Sequence, residues 1–214
     1  MYRKNSSSTV SSSGATPSRA SEVPILGRDD IVAALRDLVE ELVASGDRVG
    51  IRLVGGAAIA LRHFERESTN DLDATGVTSQ DDHAVAEAAA RVAERRGWPK
   101  AWLNFEVDQL GATPWIGRPA EWEKLYDADG VVIEVASAET LLAMKLRAGR
   151  PGRDVNDIRR LLHLCEVGTI DAAEDLYEGY YPGDSMSART RGIVERILEE
   201  ASPPPLHPVD PIRW

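Results

Sequence analysis

The sequence predicts an α/β (α+β) fold, in which a small mixed sheet is flanked by helices and followed by a helical C-terminal part. Short apolar runs typical of strands alternate with helical periodicity up to residue 137, and only helical periodicity follows. In addition, 43% of the 214 residues are hydrophobic and 28% are charged. This is the ordinary balance of a globular domain that buries its own core.

The first half of the chain contains the strand signals. We expect Asp29 and Asp30 to cap a helix that Gly46 ends. A strand over residues 51–54 then runs into Gly55-Gly56, because two glycines follow an apolar run. A short helix and a second strand are predicted next, over residues 57–64 and 71–75.

The middle of the chain predicts one long helix and one hairpin. Residues 81–96 form an alanine-rich helix, whereas residues 102–110 fit neither pattern. Apolar runs flank the turn signal Asp127-Ala128-Asp129-Gly130, which is typical of a hairpin. From Ser137, a helix cap, the pattern is helical, with predicted helices over residues 138–148, 154–167, 171–180 and 188–201.

These elements divide the chain into four segments. Residues 1–27 hold eight serines and lack apolar periodicity, so we predict a disordered tail. Residues 28–137 are the predicted α/β core, and residues 138–202 are the helical part that completes the site. Residues 203–214 begin with three prolines and are predicted to be a non-helical, Pro-rich tail.

Charge and composition exclude several classes of protein. Lys and Arg number 25 against 35 Asp and Glu, a net charge of −10. This argues against a binder of nucleic acid that works through a broadly basic surface, although a local basic patch is compatible with it. Cys165 is the only cysteine, so an intrachain disulfide is excluded. Because no apolar run approaches about 18 residues and no secretory leader is recognisable, we expect a cytoplasmic protein without membrane contact.

Asp71 and Asp73 are the first candidate site residues. Alternate residues of a strand point to the same face, so the two carboxylates would lie side by side and repel each other. Mg²⁺ is the natural cation for such a pair when it also binds substrate phosphates. Gly55 and Gly56 would let the backbone approach a ligand. The alternative is a surface turn with two solvated acids.

The second candidate region runs from Lys145 to Arg160. Lys145 shares an apolar stripe with Leu141 and Leu142, so it either snorkels to solvent or faces an anion. Asp154 and Asp157 lie one helical turn apart, and Asp154 also suits a helix cap. Six basic residues accompany these two acids. The basic residues could hold a triphosphate or an RNA backbone, or they could pair with acids elsewhere in the protein.

Glu134 is the only charged residue in its predicted strand. It either lies on an open face of the sheet or adds a third carboxylate to the metal site.

Four segments together resemble the nucleotidyltransferase superfamily, and in particular its AbiEii/MenT-type, toxin-like branch. They are residues 53–58 (LVGGAA), 66–73 (RESTNDLD), 142–146 (LAMKL) and 153–158 (RDVNDI), and Trp102-Leu103-Asn104 is also similar. The resemblance spans about residues 30–165. Two departures stand out: many members have Gly-Ser where this chain has Gly55-Gly56, and only Glu134 is available as a third strand carboxylate.

The resemblance implies roles for particular residues. Asp71 and Asp73 would hold Mg²⁺, and Asp157 would complete the active site, with Asp154 and Glu134 as further candidates. The NTP would bind to Gly55, Gly56, Ser68, Lys145 and Arg150.

The resemblance also implies the reaction. It is the transfer of an NMP from an NTP to an acceptor hydroxyl, with release of pyrophosphate. Many members are toxins of toxin–antitoxin pairs and some modify tRNA, so RNA or tRNA is the expected acceptor and an antitoxin the expected partner. Two alternatives stay open: a small-molecule acceptor of the aminoglycoside type, which an acidic body suits, and an inactive module that binds a nucleotide or a protein.

Overall fold

A computed structural model describes residues 25–66, 68–78, 81–109, 112–114, 116–200 and 205–214. Of the predicted tail over residues 1–27, residues 1–24 lie outside the described residues. In chain order the helices and strands are α1 Arg28–Ser45, β1 Val49–Val54, α2 Gly55–Ala58, β2 Leu72–Gly76, α3 Asp81–Arg96, β3 Leu103–Asn104, α4 Glu106–Gln109, β4 Trp122–Ala128, β5 Val131–Ala136, α5 Ala138–Ala148, α6 Val155–Leu164, α7 Ile170–Tyr180 and α8 Ala188–Glu199. Among these described helices, none is long and apolar enough to cross a membrane.

The five strands form one mixed sheet in the order β3-β2-β1-β5-β4. The central strand β1 pairs antiparallel with β2 and parallel with β5. At the two ends, β3 runs parallel to β2, and β4 forms the predicted hairpin with β5. Asp129 and Gly130 turn this hairpin with φ of 53° and 87°, the positive values that a tight two-residue turn requires.

Helices flank the sheet as the sequence predicts. α1 and α3 pack on each other and also contact the sheet, and the apolar stripe of α1 is buried. In the C-terminal part, α5 packs against α6 and α7, and α8 packs against the same two helices. The prediction of a small mixed sheet with flanking helices and a helical C-terminal part is therefore confirmed.

Tertiary contacts extend or shift several predicted elements. β1 begins at Val49 because that residue pairs with Val131 of β5. Gly27, and not Asp29 or Asp30, is the N-cap of α1, while Asp30 Oδ2 accepts a hydrogen bond from the backbone N–H of Gly27 at 3.1 Å. Within the ambiguous residues 102–110, the structure has the short strand β3 and the single-turn helix α4.

The chain ends contact the body of the protein. Leu26, which the sequence analysis assigned to the disordered tail, is 1% exposed and pairs with Thr69 through two backbone hydrogen bonds of 2.7 and 2.9 Å. Residues 205–214 are non-helical, as predicted, but Leu206 and Ile212 pack against the core. The ring of Trp214 lies 4.9 Å from that of Tyr126. The ordered body thus includes residues from both predicted tails.

Leu26 offers a test of this arrangement. Leu26→Ala should lower the free energy of unfolding by about 2–5 kcal/mol, because it empties a buried site. Ile25→Ala is the matched control, since Ile25 is 74% exposed and its change should stay within about 0.5 kcal/mol. Urea denaturation of both variants measures the difference. Equal stabilities would show that Leu26 belongs to the tail.

Candidate functional site

Gly55 occupies the turn between β1 and α2, and two constraints require glycine there. Its φ is +66°, in the left-handed region that other residues rarely adopt. A Cβ atom at this position would lie 2.6 Å from Oδ2 of Asp73. The glycine therefore lets the end of β1 approach the carboxylate on the neighbouring strand.

Asp71 and Asp73 line the same cavity, as the spacing predicts. Asp71 immediately precedes β2, and Asp73 lies within it, opposite Val54 of β1. Burial raises the pKa of Asp73, and the charge of Asp71 raises that pKa further. The two carboxylates thus repel each other and favour a cation beside them.

Asn104 is a residue of this site that the sequence analysis assigned no role. It lies opposite Asp73 in the pairing of β2 with β3, and its Nδ2 donates a hydrogen bond to Oδ2 of Asp71 at 3.4 Å. A hydrogen bond from Asn104 also counters part of the rise in the pKa of Asp73. Its only sequence signal was the segment Trp102-Leu103-Asn104, which shares the family resemblance.

The cavity beside these carboxylates has a volume of about 220 Å³. Its lining combines a negative side with a positive one. Asp71, Asp73 and Glu106 supply the carboxylates, and α5 and the loop after it supply the cations. An apolar wall completes the lining and includes Val107, Leu141 and Met144, and the cations are Lys145, Arg150 and Arg153.

Lys145 is held by a buried network of charges. Its side chain is 7% exposed, and its Nζ lies 2.8 Å from Oδ1 of Asp154 and 2.9 Å from Oδ2 of Asp157. Asp154 is fully buried and Asp157 is 5% exposed. The snorkelling interpretation of Lys145 is therefore wrong, because the ammonium group points towards buried carboxylates and not towards solvent.

Arg150 completes the network from the loop between α5 and α6. Its Nε and backbone N–H both donate to Oδ2 of Asp154, at 2.8 and 3.2 Å. Burial alone raises the pKa of Asp154, but the hydrogen bonds and charges of Arg150 and Lys145 outweigh it and bring this pKa below its usual value. Asp154 is the N-cap residue of α6, yet its side chain makes no capping hydrogen bond, since it serves the two cations instead.

Asp157 connects the network to a second, adjoining cavity of about 240 Å³. Arg66 Nε donates to Oδ1 of Asp157 at 3.2 Å. Ser68 lines this second cavity and is not among the residues that line the first. Gly56 lines neither cavity; instead, it leaves room for Arg66, whose Cζ would lie 2.9 Å from a Cβ at that position.

Glu134 lies apart from both cavities. Its Oε2 accepts a hydrogen bond from Nε of Arg52 at 3.0 Å, and Arg52 also lies over the ring of Trp122, 4.8 Å from its centroid. Because Arg52 and Val54 share a face of β1, Glu134 lies on the sheet face of Asp73 but two strands away from it. Of its two predicted roles, the position on the sheet face agrees with the structure.

Asp71 and Asp73 fit a type of Mg²⁺ site in which a substrate supplies some of the ligands to the metal. Within the residues that the structure describes, no group of three or more His, Cys, Asp or Glu side chains could hold a metal ion. Mg²⁺ is commonly bound by only one or two carboxylates, with waters and substrate phosphates as the other ligands. The crowded pair Asp71 and Asp73 meets that requirement.

Comparisons of this chain with protein-family models, with curated proteins and with solved structures found no match. The geometry of the site is therefore the basis for the function proposed below.

The buried network yields a prediction about stability. Lys145→Met should lower the free energy of unfolding by about 3–5 kcal/mol, because it removes one partner of buried ion pairs and leaves the carboxylates with less compensation. Urea denaturation at neutral pH measures this change.

The control is Lys124→Met, since the ion pair of Lys124 with Asp127 (2.6 Å) lies on the surface. Its removal should change stability little. If both variants unfolded at the same urea concentration as the wild type, Lys145 would have no structural role.

Proposed function

We propose that this protein is a Mg²⁺-dependent nucleotidyltransferase, which moves an NMP from an NTP to an acceptor hydroxyl and releases pyrophosphate. One observation carries the proposal. Gly55, Asp71, Asp73, Lys145 and Arg150, which are distant in the chain, line one cavity of about 220 Å³. Its carboxylate side suits a metal, its cationic side suits phosphates, and its apolar wall suits a base.

The residues of the cavity suggest how a triphosphate would be held. Lys145 has three N–H donors and donates one hydrogen bond, to Asp154, while its contact with Asp157 is an ion pair, so a donor is left for a phosphate oxygen. Arg153 has no hydrogen bond or ion pair with the residues that the structure describes, and its guanidinium is available to the same ligand. The ion pair with Asp154 fixes Arg150 at the cavity wall.

The chemistry would follow from positioning and charge. When bound to Asp71 and Asp73, Mg²⁺ would neutralise charge that develops on the phosphates. Arg150 and Arg153 would stabilise the departing pyrophosphate, and a carboxylate of the cavity would accept the proton of the acceptor hydroxyl. Such reactions need little covalent chemistry from the protein, and the charges and positions of these residues support the proposal on that ground.

The biological role is proposed by resemblance. On that basis the protein acts in the cytoplasm as the toxin of a toxin–antitoxin pair, with RNA or tRNA as acceptor and an antitoxin as protein partner. A labelled-NTP assay on total RNA tests the activity. Label on RNA supports this role, turnover only with an aminoglycoside supports a small-molecule acceptor, and nucleotide binding without turnover supports a binding module.

The carboxylate pair supplies the sharpest test. Asp71→Asn combined with Asp73→Asn should reduce Mg²⁺-dependent NMP transfer to background, because the metal loses its ligands. The same change should leave the metal-free stability unchanged or raise it. Because the pKa of Asp73 is raised in the folded protein, ionisation of Asp73 opposes folding of the wild type. The stability of the double variant relative to the wild type should therefore increase as the pH rises through that pKa.

The matched control is Asp127→Asn combined with Asp129→Asn, an exposed pair with the same spacing and the same change in charge. It should keep full transfer activity. Were Asp71 and Asp73 structural, their replacement would instead cost about 1–3 kcal/mol of stability. A destabilised variant that still transfers NMP would overturn the proposal.

A further inference from the structure

Three cavities follow one another, each sharing lining residues with the next. Arg153 lines both the candidate nucleotide cavity and the second cavity, which also has Arg66, Ser68, Asn156, Asp157 and Arg160 in its lining. Arg66 and Arg160 in turn line a third cavity of about 420 Å³, together with Arg28, Glu65 and His207. Because neighbouring cavities share lining residues, the three lie in succession starting from Asp71 and Asp73, and together they make up a groove of three cavities.

Beyond the first cavity, the arginines of this groove outnumber its carboxylates. In the second cavity, three arginines face one carboxylate, and Asp157 is already paired with Lys145 and Arg66. Arg28, Arg153 and Arg160 form no ion pair with the residues that the structure describes. In a chain with a net charge of −10, a row of unpaired cations indicates an anionic ligand.

Backbone contacts hold two of these guanidinium groups, those of Arg160 and Arg28, without neutralising them. Arg160 Nη1 donates to the carbonyl of Glu65 at 2.6 Å, and its guanidinium lies 5.4 Å from the ring centroid of Phe64. Arg28 Nε donates to the carbonyl of Ala60 at 3.1 Å. The remaining N–H groups of such a planar fork match the oxygen atoms of a phosphate.

We propose that Arg153, Arg66, Arg160 and Arg28 bind successive phosphates of one polynucleotide strand and bring its terminal hydroxyl to the first cavity. A single phosphate would occupy one cavity, whereas the arginines extend along three. This inference rests on the proposed function, because it assigns the groove to the acceptor. It disfavours a cationic small molecule, which the arginines would repel.

Arg160→Gln tests the groove, since Arg160 does not line the nucleotide cavity. The probe is a fluorescent oligoribonucleotide of about 12 nucleotides, a length within the range of strand-binding sites. Fluorescence anisotropy should show a loss of affinity of about tenfold. The slope of log K against log salt should become less steep by about 0.7, as expected for one lost phosphate contact.

Arg159→Gln is the matched control, with the same charge change on the same helix. Arg159 bonds to Asn156 and Glu200, at 3.0 and 2.7 Å, and does not line the three cavities. It should keep the wild-type affinity. Should Arg160→Gln fail to fold, the exposed Arg153→Gln must show the same loss of affinity and of salt slope.

Three results would overturn the groove: unchanged affinity in Arg160→Gln, an equal loss in Arg159→Gln, or competition by inorganic phosphate as strong as by unlabelled oligonucleotide. The last would indicate a site for one phosphate. Binding of ATP with Mg²⁺ and release of pyrophosphate are measured separately in the same proteins. If these fail while oligonucleotide binding still depends on Arg160, the groove stands and the proposed function falls.

Discussion

The buried ion pairs of Lys145 with Asp154 and Asp157 hold the cationic side of the candidate site together. Lys145 belongs to α5, whereas the two acids lie at the start of α6. The ion pairs therefore hold the two helices together and fix the position of the loop between them. That loop carries Arg150 and Arg153 to the cavity wall. Through Asp157 the same network reaches Arg66, in the segment before β2. One buried lysine thereby connects the helical part with the α/β core.

A second constraint lies on the opposite wall of the cavity. Gly55 permits β1 to turn within a van der Waals contact of Asp73, and Asn104 tethers Asp71 from the strand beyond. The wall formed by β2 and α4 thus carries carboxylates, and the wall formed by α5 and the loop after it carries cations. In a complex of a metal ion with a polyphosphate, the metal would face the carboxylates and the phosphates would face the cations. An apolar wall that includes Leu141 and Met144 completes the cavity.

The local signals in the sequence were sufficient for most of the fold. Helical periodicity located α3 and α5 with their observed ends, and the Asp129-Gly130 turn located the hairpin. Leu26 was placed in a tail because residues 1–27 as a whole are serine-rich and aperiodic, whereas its burial accompanies its pairing with Thr69. β3 was missed for a related reason, since two residues form a strand only where another strand is already present.

Sequence by itself determined the features that depend on near neighbours: the alternation that places Asp71 beside Asp73, the glycines that follow β1, and the lysine on an apolar helix stripe. Only the tertiary structure decided what those residues face. Lys145 meets Asp154, and Glu134 meets Arg52. The arginines of the groove come from α1, the loop before β2, the loop after α5 and the middle of α6. The physical reason is that partners distant in the chain are chosen by how helices and sheet pack, and no local spacing encodes that packing.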